Sequence, residues 1–226
     1  MFAGHIGAAL AIGRADRRVN LGVFVIAALL LDIALWLFVL AGWETVVIPA
    51  NFARTHQPAF TFPYSHGLLA GVVWSAAAAG VAWWAYARLG ASRWRAAALV
   101  AAAVFSHWLL DSLVHQPELP LGGAGSSKVG LGLWQSMPAA LVAEAAIVAG
   151  GLGLFVRGSL LSRGRTLAVV VLTLVVLAFT VLGMTVAPPP PSARAMAASS
   201  LAALVIVCAL TCWLGRGHRA IDRPDH

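Results

Sequence analysis

Histidine and carboxylate recur in this sequence at spacings that let their side chains meet inside a helical bundle. His107 and Asp111 are four residues apart, and His115 follows after four more. Four residues advance a helix by only about 40° around its axis, so the three are expected as a ladder on one face, where two successive rungs can share one metal ion. His66 stands in Tyr64-Ser65-His66-Gly67, Asp32 follows Leu31, and His5 adds an imidazole near the first residues. Glu144 is a lone acid in Ala/Val-rich surroundings. Mixed imidazole and carboxylate ligation suits Zn²⁺ and other first-row divalent ions, whereas Mg²⁺ or Ca²⁺ would use more oxygen, so zinc is the expected metal. Beside such an ion, an unligated Glu144 or His115 is the residue type that moves protons during hydrolysis.

These polar residues are set in an unusually apolar chain. Of 226 residues, 61% are hydrophobic and 10% charged, with a mean hydropathy of +0.87, against about 25% charged in an ordinary soluble domain. Lipid is the implied solvent. A span needs about 20 mostly apolar residues, and six stretches qualify: Val19 to Gly42, Tyr64 to Ala87, Ala96 to Val114, Gly132 to Val156, Thr166 to Ala187 and Ala195 to Leu214. The runs are continuous and do not alternate as barrel strands would, so the fold class expected is all-α, a polytopic transmembrane helical bundle. Met1 to Gly13 is apolar but half a span long, which predicts a half-membrane or interfacial helix. Its charges follow its apolar core, unlike those of a cleaved signal. Cys208 and Cys212 lie one turn apart in the last span and predict small-residue packing, with no disulfide. Length and the lack of repeats predict one integral membrane domain over residues 1–226, with the polar site in 1–145 and mainly scaffold spans and a tail in 146–226.

Membrane burial turns the acids into a question of partners. Asp32 lies inside the first span, Asp111 near the outer end of the third and Glu144 near the middle of the fourth. An ionised carboxylate at the bilayer centre costs roughly 2.5 to 3.5 kcal/mol on insertion scales, so such residues face a bundle interior and have a partner. None of the six spans contains Lys or Arg. Histidine, a bound cation, a proton on the acid or water must serve. By helical rise, Asp32 is about 15 Å from the outer end of its span, His66, Asp111 and His115 are closer to that end, and His107 is within about two turns of it. Glu144, about 18 Å below Gly132, is expected deepest, closing the floor.

Basic residues fall in alternate connections. Arg14, Arg17 and Arg18, then Arg88, Arg93 and Arg95, then Arg157, Arg163 and Arg165, and finally Arg216, Arg219 and Arg223 flank the spans on one side, against Arg54, Lys128 and Arg194 on the other. The first set predicts the cytoplasmic face and both termini on it. The net charge of +7 is thereby topology signal, and no nucleic-acid partner is expected. Trp43, Trp83, Trp84 and Trp134 suit an interfacial belt. The loop Trp43 to Pro63 is long enough to cover an outer vestibule, and Pro188 to Pro191 predicts a stiff extended link. The last two spans lack Asp, Glu, His, Lys and Arg and read as scaffold. His56, His218 and His226, in loop and tail, carry no argument for function.

The order Gly4-His5, Leu31-Asp32, Ser65-His66 and His107-Trp108-Leu109-Leu110-Asp111 resembles the YdjM-type inner-membrane metal-dependent hydrolases. A related branch is similar through His115-Gln116-Pro117-Glu118-Leu119-Pro120-Leu121 and Gly130-Leu131-Gly132-Leu133-Trp134, followed by an acid like Glu144. The resemblance covers about residues 1 to 145. It implies a bacterial-type inner membrane, a divalent-metal site at His5, Asp32, His66, His107 and Asp111, and hydrolysis. The Pro-Asp-x-Asp of many relatives reads Leu31-Asp32-Ile33-Ala34 here, which weighs against two metals. Three readings follow. The first is a hydrolase of a lipid or other amphiphilic ester or phosphoester in contact with membrane lipid. The second is an ion- or proton-coupled transporter or channel component using the same acids and histidines, though it lacks the internal symmetry common in such proteins. The third is a purely structural polar cluster, ranked last because interhelical polar contacts average only about 0.6 kcal/mol.

Overall fold

The computed structural model describes residues 1–216 and is a helical bundle. Helix α1 (Phe2–Gly13) leads through a short turn into α2 (Leu21–Ala28) and α3 (Leu30–Ala41), an apolar pair bent by 51° where they meet. A hairpin of β1 (Thr45–Val47) and β2 (Ala59–Thr61), with Val46 opposite Phe60, encloses the short helix α4 (Phe52–Thr55). Helices α5 (Leu68–Ala85) and α6 (Arg93–Val114) follow. A second small hairpin, β3 (Leu119–Pro120) with β4 (Lys128–Val129), precedes α7 (Met137–Gly158), α8 (Arg163–Thr185) and α9 (Ala193–Leu214). Five of these helices are long and apolar enough to cross a membrane, or six when the bent pair is counted as one span. Their outward faces carry exposed Val72, Val81, Leu167, Leu174 and Val205, as lipid contact requires.

The half-length helix at the start is central to the bundle. Ala3, His5, Ala9 and Leu10 are fully buried, and α1 lies along α7 and against α2, α6 and α8. It is an interior half-span, which corrects the interfacial alternative. Glycine makes this possible: a Cβ on Gly7 would sit 2.8 Å from the Ile147 carbonyl oxygen, and one on Gly151 would overlap the Gly7 carbonyl. The two backbones touch, the close approach that small residues permit between membrane helices.

The arginine-bearing connections gather at one end. Arg95 donates to the Ala15 carbonyl (2.7 Å), and Arg14 and Arg17 border Gly158. Arg18 holds Asp16 through paired hydrogen bonds of 2.9 and 2.7 Å, which pull that carboxyl below its ordinary range. His218, Arg219, Arg223 and His226 lie outside the described residues. At the opposite end Gln57, in the loop of the first hairpin, donates to the carbonyl of Trp134 (2.7 Å), which precedes α7.

Candidate metal centre

The break between α2 and α3 contains neither proline nor glycine. Ala28 ends α2, and a terminal helix carbonyl lacks its own i+4 amide. His107 Nδ1 occupies it at 2.6 Å. A side chain engaging the backbone ladder is a recognised cause of such kinks, and the bend swings Asp32, in the first turn of α3, toward α6. His107 also fixes its own tautomer here, since a carbonyl only accepts: Nδ1 carries the proton and Nε2 is turned to the site.

His66 arrives from a different direction than expected. α5 begins at Leu68, so His66 sits in the tight turn before it, its amide bonded to the Phe62 carbonyl (3.2 Å). Its Nε2 lies 3.2 Å from His107 Nε2. Asp111 Oδ2 is 3.2 Å from His107 Nε2 and 3.5 Å from His66 Nε2, while Asp32 Oδ1 is 3.7 and 3.6 Å from the same two atoms. Tetrahedral zinc with bonds of about 2.0 to 2.2 Å has ligand-to-ligand edges of about 3.3 to 3.6 Å. The His66, His107 and Asp111 separations match that figure closely, so these three donors suit a single small cation, with Asp32 beside them. Facing Nε2 atoms at this distance require either one shared proton or a metal between them, and two carboxylates in the same pocket favour the higher charge.

His5 completes the cluster. Its ring stacks on His107 at 3.6 Å between centroids, and Nε2 lies 3.2 Å from Asp111 Oδ1, yet neither ring nitrogen makes a hydrogen bond although the residue is fully buried. Unpaired polar atoms at such depth are costly, and a ligand role accounts for them. Two overlapping groups can hold a metal ion, His66, His107 and Asp111, and His5, Asp32 and His107. They share His107, whose single free nitrogen serves one ion.

No protein-family model, curated protein or solved structure matches this chain. The chemistry therefore has to come from the side chains and their geometry.

The remaining residues fall into two sets. His115 caps α6 in an extended conformation, so the helical ladder ends at Asp111. Its Nε2 still reaches to 3.8 Å from Asp111 Oδ2, while Nδ1 bonds Glu118 Oε1 at 2.6 Å and Trp134 packs on the ring at 4.2 Å. Trp134 therefore lines the site. Gly130 lets this loop close, with φ of 151° and no room for a Cβ between the His115 and Gln116 carbonyls. Glu144 differs from expectation in depth. Residues 133–135 form a 3₁₀ turn and α7 starts at Met137, so Glu144 is about 10 Å into its helix. There Oε1 accepts the Gly4 amide (3.0 Å), capping α1 beside the cluster.

Several partners carry no clear mark in the sequence. The Met1 amino nitrogen lies 3.2 Å from Asp111 Oδ1, a contact no span boundary reveals. Glu44 and Glu118 look like loop acids in the sequence, yet each meets a site histidine or its neighbour. Glu118 had a readable signal, three residues after His115.

Asp32, His66, Asp111, His115 and Glu144 border one cavity of about 380 Å³. Its other walls are largely apolar, with Trp36 of α3, Phe52 and Phe60 of the first hairpin, Phe179 and Met184 of α8, and Leu204 of α9, interrupted by Gln57, Thr180 and Ser199. The last two helices, expected as scaffold, supply one side of this chamber, and His56 borders it as well. Asp32 is the most exposed ligand candidate, with 21% of its side chain accessible.

Proposed function

We propose that this protein is a membrane-embedded, zinc-dependent hydrolase of an amphiphilic ester or phosphoester. The observation that carries the reading is the buried set of His66, His107 and Asp111 at near-tetrahedral edge lengths, with partly exposed Asp32 beside it, opening on a largely apolar cavity. The ordered polar residues that resemble the YdjM-type hydrolases support it as well. His66, His107 and Asp111 would hold the ion, with His5 behind His107 and Asp32 on the cavity side. A divalent ion there supplies Lewis acidity, polarising the scissile group and making water a competent nucleophile near neutral pH. His115, oriented by Glu118, is in reach to accept a proton, and the aromatic and Met walls bind an acyl chain by apolar burial, worth about 25 cal/mol per Å². Glu144 holds α1, and through it His5, in position. With arginines toward the cytoplasm, the chamber faces the outer leaflet.

The test is metal analysis of the purified full chain with hydrolysis of acyl and phosphoryl ester probes in mixed micelles. About one zinc per chain and metal-dependent turnover are expected, both lost in His107→Ala and Asp111→Ala. Equal, substoichiometric zinc in all three proteins overturns the metal reading. Cation or proton flux in proteoliposomes that vanishes in Asp32→Asn, without hydrolysis, supports the transport reading instead.

A further inference from the structure

Glu44 is a buried acid outside the cluster of candidate ligands. It follows α3 directly, is 2% exposed, and its carboxylate accepts three hydrogen bonds: the Tyr64 and Ser65 amides on Oε1 (2.7 and 2.9 Å) and the Ser65 hydroxyl on Oε2 (2.7 Å). Ser65 Oγ is also 2.8 Å from His66 Nδ1. A hydroxyl has one proton. Because Ser65 gives it to the carboxylate, its oxygen toward His66 can only accept, so His66 Nδ1 must be the N–H partner. Nε2 is then left with its lone pair, aimed at His107 Nε2 and Asp111.

We propose that Glu44 is a positioning residue that sets the tautomer of His66 through Ser65, presenting Nε2 to the metal. The relay does for His66 what the Ala28 carbonyl does for His107, and the two imidazoles face each other with matched, unprotonated nitrogens. Partners one shell out from a metal commonly fix ring tautomer and orientation in this way, and their loss costs about 10- to 100-fold in affinity. The purpose of the relay rests on the metal-centre reading; the tautomer itself does not.

Glu44→Gln separates the relay from simple packing. Its oxygen can still accept both amides, so the turn that carries His66 keeps its anchor. Its NH₂ faces Ser65 Oγ as a donor, which reverses the chain: Ser65 donates to Nδ1, and the imidazole proton moves to Nε2, where it blocks the metal position. The full-length protein in detergent micelles, stripped of metal and labelled with ¹⁵N-histidine, is read by long-range ¹H–¹⁵N correlation, with His66→Gln assigning the ring; Zn²⁺ affinity is measured by competition with a chelator. The wild type is expected to hold a proton on Nδ1 of His66, separate from any proton that the facing Nε2 atoms share once the metal is removed. Glu44→Gln is expected to show it on Nε2, with zinc affinity about 10- to 100-fold weaker and thermal stability close to wild type. Ser65→Ala, which removes the link without reversing it, is expected to give both tautomers and a smaller loss. An Nδ1–H tautomer and wild-type affinity in Glu44→Gln overturn the relay, as does a pure Nδ1–H tautomer in Ser65→Ala should the glutamine variant fail to fold. A wild type that binds no zinc overturns the metal centre and, with it, the purpose of the relay, while the metal-free spectra still read the tautomer separately.

Discussion

Helices α1 and α7 meet backbone to backbone at Gly7 and Gly151, whereas α8 and α9 touch each other sparingly and expose Phe179 and Ile206. The first pair carries the polar contacts that seat the ligands: Glu144 to the Gly4 amide, His5 on His107, and the Met1 nitrogen at Asp111. The second pair carries no ionisable group in the site, and its hydroxyls are spent on its own backbone, as Thr173 and Thr180 bond the carbonyls four residues back. One part of the bundle is packed tightly to hold geometry; the other is packed loosely and leaves volume. The contrast teaches that apolar spans without chemistry still shape what the chemistry can reach.

Breaking the tight side should have the largest effect. Gly151→Leu drives a side chain into the Gly7 carbonyl, a clash of backbone with no flexible neighbour to yield. Overpacking a core typically costs about 1 to 3 kcal/mol, and a rigid contact belongs at the upper end. The expected outcome is a lower unfolding temperature in detergent together with loss of bound zinc, because His5 and the end of α1 leave the cluster. Stable protein with full metal would show that α1 is dispensable to the centre. The loose side should answer differently. Gly183→Trp meets no atom within 4 Å of its Cβ and borders the cavity, so zinc content and stability should hold while turnover of long-chain ester probes falls about tenfold, or about 1.4 kcal/mol in transition-state binding, relative to short-chain ones. Equal effects on both probe lengths would dissociate the cavity from chain binding. The smallest effect is expected away from both pairs, at the arginine end. Asp16 has a depressed pKa from Arg18, so its contribution is present above the ordinary carboxylate value of about 3.9 and is lost as pH falls through the lower folded value. Arg18 is partly exposed and screened, so Asp16→Asn should cost under about 1 kcal/mol near neutral pH, with the difference from wild type vanishing in acid. A larger loss by thermal unfolding would make that turn a structural partner of α1.

The sequence conveyed the spans well because hydropathy is additive along a helix. The boundaries of α6, α8 and α9 fall within three residues of those expected, and Asp32, His66, His107 and Asp111 converge as their depths required. What it did not convey depends on tertiary contact. The bend at Leu29 arises from His107 at the Ala28 carbonyl and has no local signature. The depth of Glu144 was misjudged because residues 133–135 are apolar yet turn as a 3₁₀ segment, shortening the helix. Glu44 sits beside an exposed Trp43 and reads as an outer-loop charge, although the fold buries it.

The seat of α1 also bears on how the protein is made. Its closest neighbour, α7, lies about 140 residues later, the separation of the Gly4 to Glu144 bond. Segments generally fold in the order of synthesis, so α1 can meet α2 early but gains its largest partner only after most of the chain has emerged. The cluster of candidate ligands therefore closes late in biogenesis, once α7 has taken its place beside α1.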